Sequence, residues 1–192
     1  MESAQDETFQ DEVFEPYAIA IGHTVLAWND LHRWLGCLLE SVLFPRQSNP
    51  MRVLWNSATQ DRAARQMLRA AVSYRYPANS SVKHDPIMWL IGQVDALEDI
   101  RNDIIHTALM RNRQGGVVVS STETKRAAKL ASKSDLLGEI HWCCDTTIAL
   151  RNYALAIDRG LESVHGTLPR IPSLPNRGQK RTPPDQRRQS RS

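Results

Sequence analysis

The chain has 192 residues, of which 41% are hydrophobic and 23% are charged, and its net charge is +3. These values are ordinary for one globular domain, and no apolar run reaches the ~20 residues that a membrane-spanning helix needs. The acidic start MESAQDETFQDEVFE lacks the basic and apolar regions of a secretory leader, so we expect a cytoplasmic protein that does not associate with membranes.

The positive charge is concentrated in the last part of the chain. From Thr167 onward, seven Lys or Arg stand against one Asp, a net charge of +6, which leaves −3 on residues 1–166. This stretch also has five prolines and no apolar periodicity, so residues 167–192 are predicted to form a disordered basic tail. Such a tail either contacts nucleic acid nonspecifically or only keeps the protein soluble. Residues 1–15 are predicted to be an acidic flexible arm, which leaves a single helical domain over 16–166.

Four helices are predicted within this domain. The first begins at Pro16, has apolar residues at steps of three and four, and stops at the segment FPRQSNP. The second is predicted over residues 58–74, because Ser57 and Gln60 have the spacing of a capping box. Its polar face is basic, and this face either binds RNA phosphates or is simply solvated. The basic residues are Arg62, Arg65, Arg69 and Arg75.

The third predicted helix is capped by Asp85, begins at Pro86 and runs to Asn112. The glycines and valines of RQGGVVVSSTETK then predict a loop or a short hairpin. A fourth helix is predicted to open at Ser134 and to end near Gly166. Four long helices around one apolar seam predict an all-α fold, specifically a four- to five-helix antiparallel bundle.

No residue pattern predicts a metal or another cofactor. The three cysteines, Cys37, Cys143 and Cys144, are odd in number and lack CxxC spacing, so we interpret them as reduced, small apolar residues. The histidines lack the spacing of metal ligands, and the sequence has no GxGxxG, P-loop or GxSxG pattern. His32 is interpreted as a packing residue, and the five tryptophans as core or interface anchors.

The third predicted helix carries an arginine on its apolar face. On a helical wheel Arg101 lies near the centre of the apolar arc, whereas Asn102 and His106 lie on the edge of that arc. Arginine remains charged in proteins, so its desolvation must be offset by a carboxylate, a carbonyl or a bound phosphate. Two interpretations stay open. Either Arg101 pairs with Glu98 or with an acid on another helix, or it binds a phosphate while His106 transfers protons.

The segment RNDIIH, residues 101–106, resembles the R-x4-6-H motif of the HEPN superfamily, whose motif arginine is commonly followed by Asn, Asp or His. The segments AWNDLHRWLGCLLE and QDRAARQMLRAA fit the same resemblance, which covers about residues 16–165. It implies a HEPN-like helical bundle and a metal-independent endoribonuclease. It also implies a homodimer in which two copies of the motif face each other across a composite cleft.

The resemblance assigns a role to each motif residue. Arg101 would bind the scissile phosphate, His106 would act as general acid or base for attack by the 2′-hydroxyl, and Asn102 would orient His106 or bond the phosphate. RNA is then the implied substrate, and the candidate RNA contacts on the second helix are Arg62, Arg65 and Arg69.

The resemblance also implies a biological setting, that of a toxin or phage-defence effector held in check by an antitoxin protein. Some toxins of this group carry, two residues after the histidine, a tyrosine that the antitoxin modifies. This chain has Ala108 there, which argues against that form of neutralisation. The alternative is a noncatalytic HEPN-like module that dimerises and binds RNA or a protein.

Overall fold

The computed structural model describes residues 12–44, 51–58, 60–79, 81–120, 124–133, 135–163 and 167–178. The predicted flexible arm lies largely outside these ranges. Within them the chain is mostly helical, and none of the helices is long and apolar enough to cross a bilayer. The elements in chain order are α1 (Glu15–Leu43), α2 (Met51–Ser57), α3 (Asp61–Arg75), α4 (His84–His106), β1 (Leu109–Arg111), β2 (Val117–Val119), α5 (Lys125–Ala131) and α6 (Leu136–Glu162).

Helix α1 confirms the first predicted helix to within one residue at its start. Pro16 lies in its first turn, where a missing backbone N–H costs nothing because no partner exists for it. The apolar residues recur at steps of three and four and form the buried side of the helix, centred on Trp28, Leu31, Leu35 and Leu38. This side packs most extensively on α6.

Helix α3 confirms the second predicted helix with a start three residues later, but α2 before it was not predicted and the predicted capping box is wrong. Ser57 is the last residue of α2, and its hydroxyl donates to the backbone oxygen of Leu54 at 2.8 Å. Gln60 precedes α3 without a side-chain cap. The buried indole of Trp55 packs against Gly36 of α1, which draws α2 back along α1. Helix α3 therefore starts beside the middle of α1.

Successive long helices alternate in direction once α2 is included. Asp30 pairs with Arg151 and Ser41 with Asp158, so residue numbers rise together along α1 and α6, and these two helices run the same way. Helices α3 and α4 form a hairpin that is held by an ion pair between Arg69 and Asp95. The all-α prediction is confirmed for the described residues, apart from the short pair of strands β1 and β2.

Helix α4 differs from the prediction at both ends. It begins at His84, and Asp85 lies in the first turn bonded to His84 rather than serving as the cap. It ends at His106 instead of Asn112, because residues 109–111 pair as β1 with β2 in antiparallel register. The hairpin prediction is confirmed, and Gly115, with φ of +83°, occupies its turn.

Helix α5 was missed by the sequence analysis, which predicted no element between the hairpin and the last helix. The Thr124 hydroxyl caps it by accepting from Ala127 N at 3.0 Å. Helix α6 confirms the last predicted helix. Its N-cap is Asp135, whose carboxylate accepts from Gly138 N at 2.8 Å, and Ser134 lies outside the described residues.

Residues 167–178, here named the strap, run without regular secondary structure along α6. The Tyr153 hydroxyl donates to Pro169 O at 3.4 Å and the Trp142 indole donates to Pro175 O at 3.0 Å. Leu168 and Leu174 pack on the core. The prediction that disorder begins at residue 167 is therefore wrong for the strap, because α6 supplies apolar and hydrogen-bonding partners that composition does not reveal.

The last turn of the strap is fixed by a largely buried charge. Glu139, whose side chain is 9% exposed, accepts from Arg177 Nε at 2.7 Å and also contacts Arg177 Nη2. The Arg177 guanidinium lies 4.7 Å from the centre of the Trp142 ring, a cation–π contact. Arg177 of the strap thus compensates the charge of Glu139.

Two glycines of α1 provide a matched test of how α2 is held. A Cβ at Gly36 would lie 2.9 Å from Trp55 Cδ1, whereas a Cβ at Gly22 meets nothing within 4 Å. We expect Gly36→Ala to lower the free energy of unfolding by about 1–3 kcal/mol because the indole must move. Gly22→Ala should raise it by about 0.5–1 kcal/mol through helix propensity alone. Urea unfolding followed by circular dichroism measures both, and equal effects would contradict the assigned contact.

The anchoring of the strap predicts unequal effects of two arginine substitutions. In Arg177→Ala, the described cation that remains near the Glu139 carboxylate is Lys133, at 4.0 Å. We therefore expect the free energy of unfolding to fall by about 2 kcal/mol. Arg170→Ala, at an exposed position of the same segment, should change it by less than about 0.5 kcal/mol. Chemical denaturation of both variants checks this, and an Arg177→Ala protein as stable as wild type would contradict the strap contact.

Candidate functional site

Arg65 is the centre of a polar cluster where α1, α3 and α4 meet. The residue is only 1% exposed, yet its guanidinium keeps its charge. Nε donates to Asp95 at 2.6 Å and Nη2 donates to Glu98 at 2.6 Å, both on α4. Nη1 lies 3.3 Å from Nε2 of His32 on α1. Three helices are thus joined through one side chain.

This arrangement corrects the predicted basic face of the second helix. Arg65 is buried, and Arg69 donates to Asp95 at 2.7 Å, so both arginines are engaged by carboxylates of α4. Arg62 is exposed, as an RNA contact would need to be. The sequence places these arginines on one polar face of the helix, but it does not show that carboxylates of a neighbouring helix cover part of that face.

His32 is neutral in this environment. A guanidinium only donates, so Nε2 of His32 accepts from Arg65 and the ring proton is on Nδ1. Burial lowers the pKa of His32 from 6.5 to about 4, the Asp61 carboxylate opposes this, and Arg65 and Arg101 reinforce it. The 3.6 Å approach of Nε2 to Asp61 would be an ion pair only for the protonated ring.

The His32 ring packs against two tryptophan side chains. Its ring lies 5.3 Å from the ring of Trp28 and 6.0 Å from that of Trp55. The Trp28 indole donates to Asp61 at 3.0 Å, which satisfies the N–H of a fully buried side chain. His32 is a packing residue, as predicted from the sequence, but it is also an acceptor for a buried cation.

Arg101 lies one turn beyond Glu98 on α4 and faces Trp28. Its guanidinium carbon is 5.2 Å from the centre of the indole ring, and Nη1 donates to Asn102 at 2.8 Å. Nε is buried without a hydrogen-bond partner. Among the described residues no carboxylate lies within ion-pairing distance of Arg101. Glu98, the partner that the structural interpretation offered, is bonded to Arg65 instead.

The structure brings together two of the three predicted motif residues. Asn102 is half-buried and accepts from Arg101. His106 is exposed in the last turn of α4, and no hydrogen bond or ion pair joins it to Arg101 or to another described residue. Five residues correspond to about 140° around a helix, which explains why the two side chains diverge. Within one chain, the arginine and the histidine are therefore separate.

Asp103, inside the same motif, holds α5 against α4. Its carboxylate is 2.9 Å from Arg126 Nε and 3.4 Å from Lys129 Nζ, and its side chain is 11% exposed. The sequence analysis gave Asp103 no role. Basic residues at 126 and 129, one helical turn apart, were the available signal, but the sequence did not predict the helix that carries them.

The described part of the chain contains neither a reactive cysteine site nor a metal site. All three cysteines are free, and burial raises the pKa of the Cys143 thiol to about 12, so this thiol is not an ionised nucleophile at neutral pH. No group of three or more His, Cys, Asp or Glu within the described ranges is arranged to hold a metal ion.

No protein-family model, curated protein or solved structure matches the chain.

The neutral state of His32 predicts a specific dependence of stability on pH. As the pH falls from 6.5 to about 4, the unfolded chain binds a proton at this residue and the folded chain does not, so unfolding is favoured by about 3 kcal/mol over that interval. In His32→Gln, whose amide oxygen can still accept from Arg65, we expect the loss of stability to be smaller by this amount. Urea unfolding at stepped pH measures the difference.

His23→Gln is the matched control for this measurement, because His23 is exposed on the same helix. We expect the control to keep the wild-type dependence on pH. Identical curves for wild type, His32→Gln and His23→Gln would contradict a neutral, buried His32.

Proposed function

We propose that the protein is a metal-independent endoribonuclease whose active site pairs Arg101 of one subunit with His106 of the partner subunit. In this reaction a base removes the proton of the ribose 2′-hydroxyl, and the 2′-oxygen attacks the adjacent phosphorus. The bond from phosphorus to the 5′-oxygen breaks, and that oxygen takes up a proton. The products are a 2′,3′-cyclic phosphate and a free 5′-hydroxyl.

The observation that supports this proposal is the unpaired state of Arg101. A half-buried guanidinium without a carboxylate, and with a buried Nε that has no partner, has donors left for an anion. A phosphate oxygen would accept from this guanidinium and would compensate its charge, as the carboxylates of Asp95 and Glu98 do for Arg65. Charge that develops on the phosphate in the transition state would then be stabilised by a group already in place.

His106 has the exposure that acid–base chemistry on a bound polymer requires. It lies on α4 about 140° from Arg101, so one copy cannot easily apply both side chains to one phosphate. A homodimer in which two α4 helices meet in opposite directions would bring each arginine to the other's histidine. Asn102, which accepts from Arg101, would hold the guanidinium in the orientation that the phosphate meets.

A noncatalytic RNA- or protein-binding module is the second candidate, and the same histidine favours it. Nothing in the described structure orients the His106 ring, whereas a general base is usually positioned by a hydrogen bond to a third group. In this alternative Arg101 binds an anion without chemistry. An antitoxin partner belongs to the first candidate and has no observation of its own to support it.

Cleavage of total RNA in EDTA tests the proposal. We expect the purified wild-type protein to cut RNA with chelator present, and Arg101→Gln and His106→Gln each to slow cleavage by about 100-fold or more. Arg113→Gln in the hairpin turn and His23→Gln on α1 remove the same side chains from exposed positions and should leave the rate unchanged.

The products and the mixing of variants make the outcome unambiguous. Chemical analysis should find cyclic phosphate ends, and a mixture of Arg101→Gln with His106→Gln should regain part of the activity through heterodimers that carry one intact site. If folded His106→Gln cleaves as fast as wild type, the catalytic proposal is wrong, and RNA binding without cleavage would leave the second candidate.

A further inference from the structure

Helix α5 presents an unusually basic surface beside the RNDIIH segment. Residues 124–133 contain four cations and no acid. The apolar side chains of Ala127 and Leu130 are buried, which turns the charged side chains outward. Arg126 and Lys129 pair with Asp103, three residues before the exposed His106, so this surface lies within one turn of His106.

The end of the strap extends this surface. Lys133, after α5, lies 4.0 Å from Glu139, and Arg177 pairs with the same carboxylate. Five cations therefore stand against three carboxylates, Asp103, Asp135 and Glu139, which leaves a local charge of +2. The cations of this basic surface are Lys125, Arg126, Lys129, Lys133 and Arg177.

The balance between cations and carboxylates separates this surface from the basic face of α3. The side chains of Arg126, Lys129 and Arg177 are all more than a third exposed, at 45%, 54% and 39%. On α3, by contrast, Arg65 is buried and Arg69 shares Asp95 with it. Asp103 and Glu139 each face two cations, whereas Arg65 alone pairs with two carboxylates. The excess positive charge therefore lies on the α5 surface.

We propose that the basic surface formed by α5, Lys133 and Arg177 binds the sugar-phosphate backbone of single-stranded RNA and leads it toward His106. This inference deepens the proposed function and rests on it for the identity of the polymer. The cations lie along one side of α5, and the phosphates of an RNA strand would neutralise the positive charge that the carboxylates of this surface leave uncompensated. Contacts of this kind carry no sequence information, so they would position RNA without selecting a base.

The chemistry of the surface favours a nucleic acid over an anionic membrane. Membrane-surface helices combine basic residues with exposed aromatic or aliphatic side chains that enter the lipid. The apolar residues of α5 face the protein core, and its other exposed residues are Ala128, Ala131 and Ser132. Nothing on this face would insert into a bilayer, whereas the charges suit a flexible polyanion.

The test measures binding of a fluorescent 2′-O-methyl RNA 20-mer, which cannot be cut because it lacks the 2′-hydroxyl. The variant is Lys125→Gln with Lys129→Gln, which keeps Arg126 as the partner of Asp103. Because this variant neutralises about two fewer phosphates, the slope of log affinity against log salt should weaken by about 1.4, and affinity at 0.1 M salt should fall about 20-fold. The control, Arg159→Gln with Arg170→Gln, removes equal charge from exposed positions of α6 and the strap and should change neither value.

Each outcome bears on one claim. Equal loss of affinity in the control and α5 variants, or loss in the control variant alone, overturns the assignment of the surface even if wild type cleaves RNA. Binding that depends on α5 in a protein that cleaves no RNA supports the surface and contradicts the nuclease. If wild type ignores the oligonucleotide but binds phosphatidylserine vesicles through the α5 residues, or binds neither probe, the proposed partner is wrong. Circular dichroism and urea unfolding of all variants establish that each is folded.

Discussion

The buried guanidinium of Arg65 is the constraint on which the centre of the bundle depends. A charge that cannot be discharged is stable away from water only where carboxylates receive its donors with good geometry. Here the receivers are Asp95 and Glu98 on α4, with the His32 ring of α1 as a third acceptor. The relative positions of α1, α3 and α4 are thereby fixed by directional bonds as well as by apolar packing, which alone tolerates sliding.

The same pairing determines the states of two further side chains. Because Glu98 is bonded to Arg65, it does not compensate Arg101, which rests on the Trp28 ring and on the Asn102 amide. Burial is the main reason that the pKa of His32 is lowered and its imidazole stays neutral, and the nearby Arg65 and Arg101 add to this effect while Asp61 opposes it.

Periodicity predicted the helices because it records which side of each helix is buried, and this information is local. The C-terminal end of α4 and the start of α3 were mispredicted because they depend on contacts with residues outside each helix. Residues 109–111 leave the helix to pair with β2, and Trp55 holds α2 apart from α3. Arg101 was singled out correctly as an arginine within an apolar arc. Arg65 was predicted to lie on a face that either binds RNA or is solvated, since only the carboxylates of another helix place it inside.

The packing of α1 on α6 and of the strap on α6 has a consequence for biosynthesis. The contact between Ser41 and Asp158 spans 117 residues, so α1 leaves the ribosome long before its main packing partner exists. Until α6 arrives, α1 has only the shorter helices to cover its apolar side, and α6 in turn lacks the cover of Leu168 and Leu174 until the strap follows. Non-local contacts of this kind form late and leave apolar surface open meanwhile. We therefore expect the nascent protein to expose apolar surface during most of its synthesis and to complete its core only once the strap has been made.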